Sequence, residues 1–170
     1  MIVDRSTLRP IVNIDGQTCF GCGAHNPVGL HMEFFTDNER VYSFISIPGA
    51  MAGWDQTAHG GIVSTILDEI MGWSVIYLLR KIGVTKTMTV TFHKPTPVEQ
   101  PLTVTGSIEE IVSEREVLVS GVIHGEDGTV YAASRATFVP MSAKTAVRMK
   151  VMSSSYMKRF LPVLEQEWGS

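Results

Sequence analysis

The chain has 170 residues, enough for one domain with a sizeable core. Apolar residues make up 44% and charged residues 18%, a globular composition and not a disordered one. A net charge of −3 with no basic stripe argues against a nucleic-acid partner, and two cysteines are too few for a disulfide framework.

Residues 1–18 read as a short N-terminal arm. They hold neither a long apolar stretch nor a small-residue cleavage site, so no signal peptide is expected and a cytoplasmic location is the default. "CFGCGAHNPVGL" (19–30) is dense in Gly, Asn and Pro and predicts a structured loop. "HMEFFTDNERVYSFISI" predicts two strands around a turn at 37–40. After a second loop, "PGAMAGWDQTA", a helix is predicted from about Gly61 to Ile82. Its apolar positions nearly encircle it, the pattern of a buried helix. The run "IMGWSVIYLL" within it is far short of the ~20 residues a membrane span needs.

Three β stretches follow. "KTMTVTFHKP" alternates Met88, Val90 and Phe92 with polar residues, and "QPLTVTGSIEEIVSE" alternates around Leu102 and Val104. "REVLVSGVIHGEDGTVYAASRATFVPM" splits into two strands at Glu126-Asp127-Gly128, a hairpin signal. Only a sheet can bury so apolar a helix here. The expected architecture is α+β, an antiparallel sheet wrapped around a long central helix, with the main domain over 19–141. The tail, 142–170, mixes Lys and Arg with Met, Phe and Leu and predicts one or two short amphipathic helices packed on the domain or on a partner chain. Nothing in it looks catalytic.

Asp68 stands out. A carboxylate in a buried apolar helix is costly unless it is paired or used. Ser64 and Gly72 lie one turn away on either side, so 64, 68 and 72 form a strip with nothing bulky and apolar on it. Such a strip suits a narrow pocket with a general base; the plainer reading is a carboxylate that faces solvent or ties down a loop. Glu69 points about 100° away and cannot share the same small site, so it is expected to be structural. Gly60 and Gly61 open the helix where free amides point outward and can polarise a carbonyl, although an ordinary Gly-rich entry turn has the same sequence. His59, beside that turn, can orient it, hydrogen-bond a carbonyl or act as an acid. Cys19, Cys22 and His25 look like part of a metal site, but zinc needs three or four ligands and neither a second Cys pair nor a convincing further His is present; His31 is a poor candidate. The expectation is a structural loop and no metal. There is no phosphate-binding Gly-rich motif and no G-x-S-x-G elbow, so any hydrolysis rests on the carboxylate.

"HGGIVSTILDE" resembles the H-G-G-x6-D signature of PaaI-type hotdog-fold acyl-CoA thioesterases. "CFGCGAHNPVGLHMEF", "VTFHKPTPVEQPLTVTGSI" and "DGTVYAASRATFV" also resemble that family, in the right order, over about residues 19–140. The resemblance implies a homodimer or homotetramer with active sites shared across an interface, and hydrolysis of acyl-CoA with coenzyme A present only as part of the substrate. It implies that Asp68 is the catalytic carboxylate, that the Gly61 amide polarises the thioester carbonyl, and that His59 is the turn histidine. Gly60, from the helix-start turn, and Ser64, from the strip, are the candidates to line the substrate beside them. Some members add a Thr or Ser ahead of the strand that ends in x-P; Thr85 or Thr87 matches, and counting back from Pro95 favours Thr85. Lys94 and Arg135 are candidates for the CoA phosphates on charge alone. The strand residues 88–92 depart from the usual family pattern, which leaves the acyl group open; Trp54, Met71, Trp73 and Tyr77 are candidates to shape its pocket. Two rivals remain, a non-catalytic acyl-CoA-binding hotdog module and, with less support, a hotdog hydratase or dehydratase.

Overall fold

The computed structural model describes residues 3–166. In chain order the elements are β1 (Arg9–Ile11), β2 (Phe34–Thr36), β3 (Val41–Ser46), β4 (Ala52–Trp54), β5 (Thr57–Ala58), α1 (Gly60–Leu79), β6 (Ile82–Phe92), β7 (Pro101–Ser113), β8 (Glu116–Gly125), β9 (Val130–Met141), α2 (Ala143–Arg148) and α3 (Ser154–Leu164). Seven strands form one sheet in the order β1-β2-β3-β7-β8-β9-β6, antiparallel throughout. β4 and β5 make a separate small hairpin at the start of α1.

The sheet wraps α1 because its strands alternate. In β8, Val117, Val119, Gly121 and Ile123 are buried while the residues between them are not. Side chains directly opposite in register share a face, so the inner face of each neighbouring strand follows from this one. α1 rests on a bare spot of that face where Gly106 of β7 pairs with Gly121 of β8. A Cβ on Gly106 would stand 2.5 Å from Ser74 Oγ and 2.8 Å from the Ile70 carbonyl, so only glycine permits this approach. Ile66, Leu67, Ile70, Met71 and Val75 are fully enclosed there. Each contributes about 1.5–3 kcal/mol by leaving water. α1 is long and apolar enough to cross a membrane by length and composition, but in this fold it is the core of the wrap. This is the hotdog architecture expected from the sequence.

The boundaries differ in three places. α1 ends at Leu79 and does not run to Ile82, because Arg80 takes a left-handed conformation (φ 56°) and Ile82 already pairs with Met141 in the sheet. A non-glycine residue rarely turns a helix this way. Arg80 is held by its guanidinium, which lies 4.7 Å over the Tyr77 ring of the same helix and donates to the distant Leu164 carbonyl of α3. β6 accordingly starts earlier than the Met88 alternation suggests. The N-terminal arm contributes an edge strand, β1, to the sheet. The tail forms two helices, and α3 lays Phe160 beside Trp73 of α1 (6.5 Å between ring centroids). Gln166 ties the tail to the arm by donating to the Val12 carbonyl and accepting its amide, both at 2.8 Å.

Candidate active site

Asp68 lies on the side of α1 that faces β6. Thr85 Oγ1 donates a hydrogen bond to Asp68 Oδ1 at 2.7 Å. The contact depends on a bulge. Thr85 pairs with Phe138, whose side chain faces α1, and the register shifts at Lys86 before Thr87 pairs with Thr137. The extra residue puts Thr85 and Thr87 on opposite faces, although they are two apart. Of the two threonines that the sequence offers, the structure brings Thr85 to the carboxylate and turns Thr87 to the outer face of the sheet.

The other expected substrate contacts are dispersed. Arg135 pairs in register with Thr89 on the outer face, and its Nε donates to Glu109 Oε1 at 3.1 Å. Lys94 lies beyond the end of β6, exposed, with its amide on the Tyr131 carbonyl. Neither reaches the Asp68 side of the same chain. Ser64 stays on the strip but returns its hydroxyl to the Gly60 carbonyl (2.8 Å), as a serine one turn into a helix often does.

His59 is the N-cap of α1, and its Nδ1 accepts the Gly61 N–H at 3.0 Å. The expected free amide at Gly61 is therefore already taken, which corrects the simple reading of an open oxyanion donor. An accepting Nδ1 places the ring proton on Nε2. The His59 amide is tied to the Met51 carbonyl, so the β4–β5 hairpin fixes the turn. Apolar surface surrounds it: Trp54 is 84% exposed and Phe92 54% exposed, with the Phe92 ring beside Gly60.

The loop cysteines converge on the helix, and His25 stays apart from them. His25 instead meets Asp15, with 3.3 Å between Nε2 and Oδ1, at the surface. Cys19 Sγ lies 3.7 and 3.8 Å from the two carboxylate oxygens of Glu69, and the Trp73 indole N–H donates to Glu69 Oε1 at 3.2 Å. Burial first, then the nearby Cys19, pushes the Glu69 carboxyl up to about 7. The Cys22 hydrogen bond, helped by the Gly21 and Cys22 amides, lowers Cys19 to about 5. The hydrogen bond with Cys19 and then burial push Cys22 well above the usual thiol range. Sequence reasoning missed Glu69 as the partner of these cysteines. The available signal was a second carboxylate in the same apolar helix as Asp68, with no use of its own.

Cavities of about 740 and 640 Å³ lie along the arm, the second of them also lined by Arg159 and Gln166 of the tail; neither includes Asp68. The Asp68–Thr85 pair sits instead at the open seam between α1 and the edge strand β6.

A wrapped antiparallel sheet, a central helix opened by His-Gly-Gly and a carboxylate two turns into that helix define a hotdog-fold protein. Residues 55–132 match the family model described as the thioesterase superfamily. Among solved structures, a thioesterase superfamily protein is 25% identical with a TM-score of 0.66; the match covers 71% of this chain and 59% of that one, so this chain spans less than two thirds of that relative. A hypothetical thioesterase from Streptococcus pneumoniae TIGR4, solved with coenzyme A, is 21% identical with a TM-score of 0.58, covering 62% of this chain and 80% of that one. The E. coli PaaI protein from the phenylacetic acid degradation operon is 15% identical with a TM-score of 0.59, covering 66% and 81%. No curated protein matches the chain in sequence.

Proposed function

We propose that this protein is an acyl-CoA thioesterase of the PaaI type, in which Asp68 acts on the thioester as general base or nucleophile. One observation carries the reading: the carboxylate in the apolar helix is oriented by a neutral hydroxyl, Thr85, and no cation among the described residues pairs with it. A hydroxyl fixes the direction of a carboxylate without consuming its charge, so Asp68 keeps a lone pair for water or for the carbonyl carbon. As base, Asp68 takes a proton from the water that attacks the carbonyl carbon; as nucleophile, it forms a mixed anhydride that water then opens. Either way the C–S bond breaks, the CoA thiolate leaves and takes up a proton, and free acid and CoA result. No cofactor is required for these steps.

The oxyanion donor comes from a second copy in this reading. Gly61 and Asp68 are seven residues apart, about 10 Å along one helix. A carbonyl gripped at Gly61 is therefore served by the Asp68 of a partner chain. The unpaired edge of β6, next to Asp68, is the natural seam for a homodimer, and pairing of such dimers would give a tetramer. His59 turns its ring aside when the thioester oxygen takes the Gly61 amide. The S. pneumoniae relative's coenzyme A supports a CoA thioester as the substrate.

The test is free-thiol release from short, medium, long and phenylacetyl-type acyl-CoAs, comparing wild type with Asp68→Asn. Turnover is expected on at least one substrate, with a loss of about 100-fold or more in the variant. A second reading has its own support. The Gly61 amide is capped by His59, as suits a module that binds acyl-CoA without cleaving it. Binding without thiol release from any substrate selects that reading.

A further inference from the structure

We propose that Cys19, Cys22 and Glu69 bind a thiophilic divalent cation, zinc foremost, which pins the 17–32 loop to α1. The ligand atoms of the three residues all lie within 4.8 Å of one another. The shorter Cys19–Glu69 separation, 3.7 Å, is close to the sulfur–oxygen edge of a tetrahedral zinc site, about 3.5–3.7 Å for ordinary Zn–S and Zn–O bonds. The sulfur donors favour zinc over magnesium or calcium, which take oxygen ligands.

The loop is shaped around the carboxylate. Gly21 packs directly on the carboxylate: a Cβ there would stand 2.4 Å from Glu69 Oε2 and would push the Glu69 side chain aside. The Gly21 and Cys22 amides are directed at the Cys19 sulfur, an arrangement that stabilises a thiolate. A fourth ligand is at hand. The Gln17 carbonyl oxygen is 3.6 Å from Cys22 Sγ and its side chain is buried; a water in that position would serve equally. Trp73 holds Glu69 from behind, as outer groups hold metal ligands.

Charge supplies the independent argument. Three acidic groups converge in a largely enclosed place, and none of the ion pairs among the described residues reaches them. Ionised together, the three groups would repel one another at this separation. A divalent ion relieves that repulsion. A disulfide between the two cysteines would use neither the carboxylate nor its indole support.

The experiment uses the full-length protein with its thiols reduced, stripped by a chelator and titrated with Zn²⁺ against a chromophoric competitor. Three readouts follow: metal per chain, thiol reactivity toward an aromatic disulfide reagent, and the spectrum with Co²⁺. About one Zn²⁺ per chain, protection of both thiols and a thiolate-to-cobalt charge-transfer band are expected. Cys22→Ser should weaken binding by about 100-fold and Glu69→Gln by about 10-fold. Two thiols that react equally with and without Zn²⁺, and no charge-transfer band, overturn the proposal. So does a Cys19–Cys22 disulfide that forms in air despite excess Zn²⁺. The wild-type spectrum and thiol protection decide the matter even if a variant fails to fold. None of these readouts involves thioester turnover, so this proposal and the thioesterase reading stand or fall separately.

Discussion

Thr85 determines which way Asp68 points. Its hydroxyl is the one polar group bonded to the carboxylate among the described residues, and it comes from an exposed strand whose loss of one oxygen costs little in packing. Thr85→Val keeps the shape and removes the hydrogen bond. A hydrogen bond to a charged group contributes about 1.5–3 kcal/mol, so kcat for thiol release should fall by about 10- to 100-fold with the melting temperature nearly unchanged. Steady-state kinetics beside a thermal melt checks this; an unchanged kcat would remove Thr85 from the site. Asp68 was legible in the sequence because a carboxylate is conspicuous in an apolar helix. The choice between Thr85 and Thr87 was not legible from periodicity. Strict alternation puts both on one face, and the bulge at Lys86 that separates them leaves no mark in composition. Glu69 was legible only as a residue that could not share Asp68's site, because its partners lie 50 residues away in the loop.

At the level of elements, the wrap was readable and its edges were not. Period-2 alternation and the Glu126-Asp127-Gly128 turn located β7, β8 and β9, since each buries one face against the same helix. The end of α1 was hidden because Arg80 stops it through contacts with Tyr77 and Leu164 and not through a local Gly or Pro signal. β1 was hidden because three residues are too short for a pattern. The tail illustrates how such contacts decide a role. Phe160 is 3% exposed and sits between Tyr156 and Trp73, the residue that supports Glu69. Phe160→Ala should therefore lower stability by about 3–5 kcal/mol and loosen the Cys19–Cys22 loop. Urea unfolding reads the first effect and faster thiol modification the second. A shift in the urea midpoint without faster modification would confine α3 to packing and detach it from the cysteine cluster.

The whole molecule presents the Asp68–Thr85 seam at an edge. β6 is eleven residues long and, among the described residues, pairs only with β9 and leaves its far side open, while Val84 and Phe92 are solvent-exposed along it. A long, unprotected edge strand invites a second strand. A partner β6 placed there by a two-fold axis brings the partner's helix N-terminus toward Asp68, closing the 10 Å gap within one chain. Two inactive variants can test this geometry. Asp68→Asn removes the carboxylate, and Gly61→Pro removes the amide at a position in the first helical turn where proline is tolerated. Each homodimer should be dead. When the two are mixed after partial unfolding and refolding, half the dimers are hybrids, each with one intact site and one doubly broken site. Activity should return to about a quarter of wild type. Sites contained within one chain predict no recovery at all, because neither variant then holds a complete set. Recovery that tracks the hybrid fraction measured by native mass spectrometry would establish that the thioester is held by one subunit and attacked from the other.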